Sequence, residues 1–242
     1  MRRPPLRVSG WRSLLSGIAL GALALGSRAA DVAPPPFEDT LAQRVLACTG
    51  CHGAQGRAAR DGYYPRLAGK PAGYLYQQLL SFRDGRRQYG PMNTLLAPLS
   101  DDYLQDIARH FASLDLPHPP PQRVALPPAE LARAQALVRQ GDPARGLPAC
   151  QQCHGATLLG RQPGVPGLLG LPRDYLLAQL AAWRQGERRS VAPDCMADIA
   201  RKLDPQDIRV MADWLASQPV PAGARPEPAS TERLPLRCGV LP

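Results

Sequence analysis

The chain carries the pentapeptide CTGCH at residues 48–52 and the related pentapeptide CQQCH at residues 150–154. Both match the Cys-X-X-Cys-His signature of covalent c-type haem attachment. Thiols three residues apart on a helix lie about one turn from each other, so both can bond one porphyrin edge while the histidine binds the iron. The sequence therefore predicts two covalently bound haem c groups. The residues assigned to them are Cys48, Cys51 and His52 for the first haem and Cys150, Cys153 and His154 for the second.

The similarity between the two halves of the chain continues far beyond these motifs. The matching pairs are Tyr74 with Tyr175, Gln78 with Gln179, Gly85 with Gly186, Met92 with Met196 and Leu99 with Leu203. Such a long repeat predicts two copies of one domain. Because Ala, Leu, Arg and Gln are abundant and residues that favour strands are sparse, we expect both copies to be all-α.

Proline-rich segments place the predicted domain boundaries. Residues 117–121 read PHPPP, which excludes a helix and favours an extended linker. The predicted organisation is a first domain at residues 30–116, a linker at 117–128, a second domain at 129–218 and a proline-rich tail at 219–242.

Local patterns also predict individual helices. Apolar residues at helical spacing favour helices over residues 74–82 and 174–184, and we expect N-terminal helices at 37–48 and 129–139. Ser100 and Asp204 are the predicted N-caps of the last helix in each domain.

Residues 1–29 resemble a secretory signal peptide. An arginine-rich start precedes an apolar stretch at 14–25, and the small residues Ser27 and Ala29 precede the expected cleavage site. The stretch is too short for a comfortable membrane span. We therefore expect a periplasmic protein, with retention by an uncleaved signal as the alternative.

The net charge of +9 overstates the basic character of the chain. Five of the 29 basic residues lie in the predicted signal, which holds no acid, so 24 remain against 20 acidic residues. This small excess predicts no binding of nucleic acid.

A methionine in each half is the predicted sixth iron ligand. Met92 and Met196 occupy equivalent positions, each on an expected loop that can fold over the haem. Met211 falls on the last helix and is expected in the core. His110 and His118, the histidines outside the motifs, have no counterpart in the other half, which argues against bis-histidine ligation. Closed His/Met coordination suits an electron carrier.

With these residues in place, the chain resembles the dihaem cytochrome c4 family of bacterial class I cytochromes c over residues 40–218. The specific features are GLPAC at 146–150, PRLAG at 65–69 and the stretch 78–85. The resemblance implies two tandem class I cytochrome c domains, each wrapped around one haem and related by a pseudo-twofold axis with the haems close together. It also implies that the carbonyls of Pro65 and Pro166 accept hydrogen bonds from the haem-ligating histidines.

The resemblance further implies a periplasmic electron carrier rather than an enzyme. A quinol-oxidising complex or a periplasmic dehydrogenase would be the donor and a terminal oxidase the acceptor, with peripheral membrane association as a further alternative. Two other functions stay open. One is a dihaem enzyme that oxidises a small sulfur anion with Cys195 as a haem ligand. The other is the cytochrome subunit of a periplasmic dehydrogenase complex.

Two cysteines remain after haem attachment uses four of the six. Cys195 adjoins Met196, and Cys238 lies near the end of the tail. Because exported thiols tend to be oxidised, we expect a Cys195–Cys238 disulfide that fastens the tail to the second domain. The alternatives are two unrelated thiols, or Cys195 in place of Met196 as an iron ligand.

Overall fold

The computed structural model describes residues 39–58 and 62–241. The predicted signal peptide and its cleavage site lie outside these residues. No helix within the described ranges is both long enough and apolar enough to cross a membrane.

The first half of the described chain is helical. A short 3-10 turn at Ala54–Gly56 follows the first haem motif. The helix at Ala72–Arg83 packs against the helix at Asp101–Ser113. The helices are α1 (Leu41–Arg44), α2 (Leu46–His52), α3 (Ala72–Arg83), α4 (Gly90–Leu96) and α5 (Asp101–Ser113).

The second half repeats this arrangement, with α10 packed on both α6 and α8. Its helices are α6 (Pro128–Arg139), α7 (Cys150–His154), α8 (Arg173–Gln185), α9 (Cys195–Lys202) and α10 (Pro205–Ser217). A small antiparallel hairpin of β1 (Gly160–Arg161) and β2 (Val165–Pro166) follows the second haem motif. The structure is mostly helical as predicted, and this hairpin is an element that the sequence pattern did not predict.

The predicted N-caps are present. The Ser100 hydroxyl accepts a hydrogen bond from the Tyr103 amide at 3.3 Å, and the Asp204 carboxylate accepts one from the Asp207 amide at 2.7 Å. Each satisfies a backbone N–H that the first turn of a helix leaves without a partner. The caps therefore fix where α5 and α10 begin.

Each half has its own apolar core. Side chains of α3 and α5, including Phe82, Leu104 and Phe111, form one buried cluster. Side chains of α6, α8 and α10, including Met211 and Trp214, form the other. Met211 is 3% exposed, in agreement with its expected place in the core.

Three local expectations were wrong. The predicted helix at 37–48 is two short helices that break at the buried Val45, and its first two residues lie outside the described ranges. Met92 and Met196 lie in helices α4 and α9 rather than on loops. Pro91 falls in the first turn of α4, where proline is tolerated, and the Asp194 carboxylate caps α9 by accepting from the Ala197 amide at 3.1 Å.

The linker and the tail have little regular structure. Residues 114–127 contain no helix or strand. The tail is held by backbone hydrogen bonds: Glu227 exchanges two bonds of 2.8 Å with Gly160 and Gln162, and the Gly239 amide donates to the Pro193 carbonyl at 2.9 Å. The tail therefore lies against the second half rather than extending from it.

Candidate haem sites

The first haem motif lies on α2 and positions one histidine for iron binding. His52 is 7% exposed, and its Nδ1 lies 2.9 Å from the Pro65 carbonyl oxygen. A carbonyl only accepts, so Nδ1 carries the proton and Nε2 keeps its lone pair. Burial lowers the pKa of His52, which favours the neutral imidazole that binds metals.

The second motif, on α7, repeats this geometry. The Nδ1 of His154 donates to the Pro166 carbonyl oxygen at 2.8 Å, and burial lowers the pKa of His154 as well. The Cys150 side chain is half-buried at the second cavity, and burial raises the pKa of its thiol to about 12. The carbonyls of Pro65 and Pro166 thus hold equivalent positions in the two halves.

An apolar cavity adjoins each histidine. The first has a volume of about 560 Å³ and is lined by Cys48, His52 and Met92, whereas Cys51 lies exposed outside its lining. The second has a volume of about 170 Å³, and its lining includes the residues assigned to the second haem, namely Cys150, Cys153, His154 and Met196. Met211 lines it too, from α10.

The donor groups at these cavities fit a haem. Each cavity combines an imidazole with a free Nε2, cysteine sulfur and a thioether in apolar surroundings, which is the ligand chemistry of class I haem sites. In the second cavity, Nε1 of Trp183 is a buried N–H donor without a hydrogen-bond partner among the described residues. A bound group with an acceptor oxygen at this position would satisfy the donor.

Comparison with known proteins agrees with this geometry. Residues 40–115 match the cytochrome c family model. The structure superposes on reduced recombinant cytochrome c4 from Pseudomonas stutzeri with a TM-score of 0.63 and 30% identity, over 73% of this chain and 95% of that one. The chain belongs to the dihaem cytochrome c4 family. As a member of this family, the cytochrome is an electron carrier that binds two haem c groups covalently.

Two further relatives carry names that mention thiosulfate. The cytochrome is 34% identical to a thiosulfate dehydrogenase electron acceptor of Thiomonas intermedia (strain K12), over 86% of this chain and 92% of that protein. It also resembles a thiosulfate dehydrogenase from Marichromatium purpuratum, with 34% identity and a TM-score of 0.62. That match covers 71% of this chain and spans only 36% of the Marichromatium chain.

A disulfide joins Cys195 to Cys238 in the cytochrome, with a Cα–Cα distance of 5.2 Å. It fastens the tail to the start of α9, beside Met196. A sulfur atom in a disulfide is not a thiolate, so this bond argues against Cys195 as a haem ligand. The tail residues Leu236 and Leu241 line the second cavity, and none of residues 219–241 lines the first.

Loss of this disulfide is expected to destabilise the second half of the cytochrome. The bond closes a loop between residues 43 positions apart, for which the chain-entropy model gives about 4 kcal/mol as an upper value. The double variant Cys195→Ser/Cys238→Ser should unfold at lower denaturant concentration than the unchanged protein. Thiol counting in denaturant without reductant checks the bond directly, and two free thiols in the unreduced protein would show that it is absent.

The two cavities of the cytochrome adjoin at the contact between its halves. Six residues line both cavities: Lys70, Tyr74, Gln78, Tyr175, Gln179 and Arg188. A seventh residue, Arg87, lines the first cavity only. We call these seven residues the junction.

The cations of the junction were not predicted from the sequence. A signal was present, because Arg87 and Arg188 each follow the matched glycines Gly85 and Gly186 by two positions. Both arginines are titratable residues that repeat in register, and this pattern predicts a shared role for them.

Proposed function

We propose that this cytochrome works in the periplasm, where it accepts electrons from a dehydrogenase that oxidises thiosulfate and passes them to a terminal oxidase. The observation that carries the proposal is the pair of adjoining apolar cavities, each with a buried histidine and a methionine. The donor is suggested by the name of the Thiomonas relative. The location rests on the predicted signal at residues 1–29.

The side chains at each site have defined roles in this proposal. His52 and His154 would each hold one haem iron through Nε2, and Met92 and Met196 would hold the same irons through their thioethers. Bound haem supplies a one-electron redox couple. An iron held by both of these side chains would offer no ligand position to a substrate, which suits a carrier.

The number of haems also suits this donor. Oxidative joining of two thiosulfate ions through a new S–S bond releases two electrons. Two haems in one chain can accept both, one electron each, before the partner dissociates.

A specific observation favours a second candidate, a cytochrome subunit that stays docked to its dehydrogenase. The Marichromatium thiosulfate dehydrogenase contains a region of this fold within a much longer chain. A dehydrogenase joined to such a region would transfer electrons without a diffusional encounter. This candidate uses the same haem ligands and differs only in how long the two proteins remain together.

The dihaem enzyme with a Cys195 ligand is less well supported. Its proposed thiolate is part of the disulfide to Cys238. Met196 lines the second cavity in an equivalent position to Met92 in the first, which supports methionine as the ligand in both halves.

The test of the proposed function mixes oxidised cytochrome with thiosulfate alone, with a thiosulfate dehydrogenase alone, and with both. The absorption of reduced haem is followed in each mixture. We expect rapid reduction only when dehydrogenase and thiosulfate are both present. Heat-inactivated dehydrogenase is the matched control.

Two outcomes would contradict the proposal. Catalytic oxidation of thiosulfate by the cytochrome alone would favour the enzyme. Reduction by ascorbate, but not by dehydrogenase with thiosulfate, would leave an electron carrier with a different donor. Co-elution of cytochrome and dehydrogenase on size-exclusion chromatography would favour the docked subunit over the free carrier.

A further inference from the structure

The tail is a part of the chain that haem attachment does not require. Its residues Leu236, Val240 and Leu241 line the second cavity, which has no equivalent lining in the first half. The outer walls of the two haem sites are therefore built from different parts of the chain.

The first anchor of the tail adjoins the histidine of the second haem motif. The Glu227 carboxylate accepts hydrogen bonds from the Thr157 amide at 3.2 Å and from the Thr157 hydroxyl at 3.3 Å. It packs so closely on Gly155 that a Cβ atom added there would lie 2.8 Å from the carboxyl carbon. Because Gly155 directly follows His154, this end of the tail is fixed beside the iron-binding histidine.

The second anchor adjoins the methionine of the same site. The disulfide joins Cys238 to Cys195, the residue directly before Met196. Between its two anchors, the tail spans the second site from the histidine side to the methionine side. We call residues 227–241 the strap.

The strap packs one face on the protein. Partly buried and exposed positions alternate strictly along residues 234–240. The partly buried positions are Leu234, Leu236, Cys238 and Val240. Such alternation has the period of an extended chain with one face against an apolar surface. The strap thus directs apolar side chains towards the second cavity, while Arg237 and Gly239 face outward.

A strap leucine fills space that belongs to a tyrosine in the first half. Gly164 lies two residues before Pro166, as Tyr63 lies two residues before Pro65. A Cβ atom added to Gly164 would lie only 3.0 Å from Cδ2 of Leu241. The glycine therefore leaves room for the strap at the position where the first half has an aromatic side chain.

A second pair of equivalent positions shows the same exchange. Tyr89 and Pro193 each lie three residues before the methionine of their half. The Pro193 carbonyl accepts a hydrogen bond from the Gly239 amide of the strap at 2.9 Å. Tyr89 instead packs on Tyr63, with ring centroids 6.0 Å apart, and its hydroxyl lies 2.9 Å from that of Tyr64. Tyrosines thus form the outer wall of the first site, and the strap forms that of the second.

The tyrosine wall leaves the first site more accessible than the second. Tyr63 is 58% exposed and Leu95 is 41% exposed, and both line the first cavity. Among the described residues, no large apolar side chain that lines the second cavity is exposed to this degree. A protein that approaches the first half therefore meets side chains of the haem site itself.

The junction borders the second cavity on another side. Arg87 of the first half donates to Gln179 of the second at 2.6 Å, and Arg188 of the second half donates to Gln78 of the first at 2.8 Å. These reciprocal contacts hold the first half against the second cavity. The second cavity is thus bordered by the first half at the junction and by the strap between its two iron-binding side chains.

We infer that the strap is a built-in cover of the second haem site, which keeps redox partners from docking there. A partner outside the strap is separated from the second haem by a layer of polypeptide. Each electron from a reduced partner therefore reduces the ferric haem of the first half and then passes to the ferric haem of the second, which leaves the first haem ferric again. This inference rests on the haem sites and is independent of the identity of the electron donor.

The experiment measures access to each haem with an uncharged, soluble gadolinium chelate, which broadens the proton signals of nuclei that it approaches. The fully reduced protein is used, because low-spin ferrous haem is diamagnetic, and the signals are assigned with the Met92→Ala and Met196→Ala variants. We expect the chelate to broaden the signals of the first haem and to leave those of the second nearly unchanged. A protein partner is larger than the chelate, so a site closed to the chelate is closed to the partner as well.

The variant Cys195→Ser/Cys238→Ser/Gly239→Val is designed to displace the strap. It lacks the disulfide, and a side chain at residue 239 would overlap the Ala192 carbonyl oxygen. We expect the broadening of the second-haem signals to rise to that of the first. The potential of the second haem alone should fall, because water stabilises the charge of the ferric state. Arg237→Gln, on the outward face of the strap, is the matched control and should change neither measurement.

Leu236→Ser/Leu241→Ser provides a second test if the first variant does not fold. It keeps the disulfide and Gly239 but removes two apolar side chains that line the second cavity, so the second-haem signals should again broaden. Second-haem signals that respond to the chelate equally in the unchanged protein and in the strap variants would overturn the inference, and the strap would then only stabilise the second half. If the variants open the site but the dehydrogenase with thiosulfate fails to reduce the protein, the cover stands and only the proposed donor is wrong.

Discussion

Replacing Met92 or Met196 with alanine is expected to open one haem iron to carbon monoxide and to lower the potential of that haem alone. The thioether stabilises the ferrous state, and alanine offers no atom in its place. Each variant should lose half of the weak near-red absorption that arises from thioether-to-iron ligation. The double variant should lose all of it.

Met211 provides the matched control for this experiment, because it also lines the second cavity but belongs to the core. Met211→Ala should keep the full near-red band and remain closed to carbon monoxide. It should instead reduce the free energy of unfolding by about 2–5 kcal/mol, since it leaves a cavity among buried side chains. If Met211→Ala abolished half of the band and Met196→Ala did not, the ligand of the second haem would be reassigned to α10.

Replacing Cys150 and Cys153 together with alanine is expected to remove the second haem and to unfold most of the second half. Both cysteines line a cavity whose walls include the core residues Leu176, Met211 and Leu215. A domain of this size has a small core, so loss of the group that fills its centre removes much of its apolar contact area. Haem staining with mass analysis should find one haem per chain, and circular dichroism should find roughly half of the helix signal lost.

The control variant is Cys238→Ser. Cys238 also belongs to the second half, but it lies outside the haem motif. The variant should retain both haems and nearly all of the helix signal, with only the tail released. Retention of two covalent haems in the Cys150→Ala/Cys153→Ala variant would show that the second motif is not an attachment site.

Much of the fold was predictable because its signals are local or repeated. These signals depend on residues within a few positions of each other. They are the Cys-X-X-Cys-His motifs, the helical spacing of apolar residues and the N-caps at Ser100 and Asp204. The family resemblance and the all-α prediction are confirmed by the comparisons and the fold. The repeat also paired Met92 with Met196, and the structure places each beside a different cavity.

The remaining features depend on contacts between distant segments. Met92 was expected on a loop, but Pro91 lies in the first turn of α4, where proline is compatible with a helix. The Arg87–Gln179 and Arg188–Gln78 contacts join residues about a hundred positions apart, so no local pattern reveals them. The closing of the second site by the tail likewise depends on where the chain returns after α10.

The reciprocal contacts at the junction have an evolutionary consequence. Arg87 of the first half contacts Gln179 of the second, and the equivalent Arg188 of the second half contacts the equivalent Gln78 of the first. An isologous homodimer interface has this same reciprocal form. A one-domain ancestor carrying this arginine and glutamine would pair with a second copy of itself through the same surface. When residues 114–127 join the two copies in one chain, their contact no longer depends on the protein concentration. Each copy then meets the other at an effective concentration on the order of millimolar.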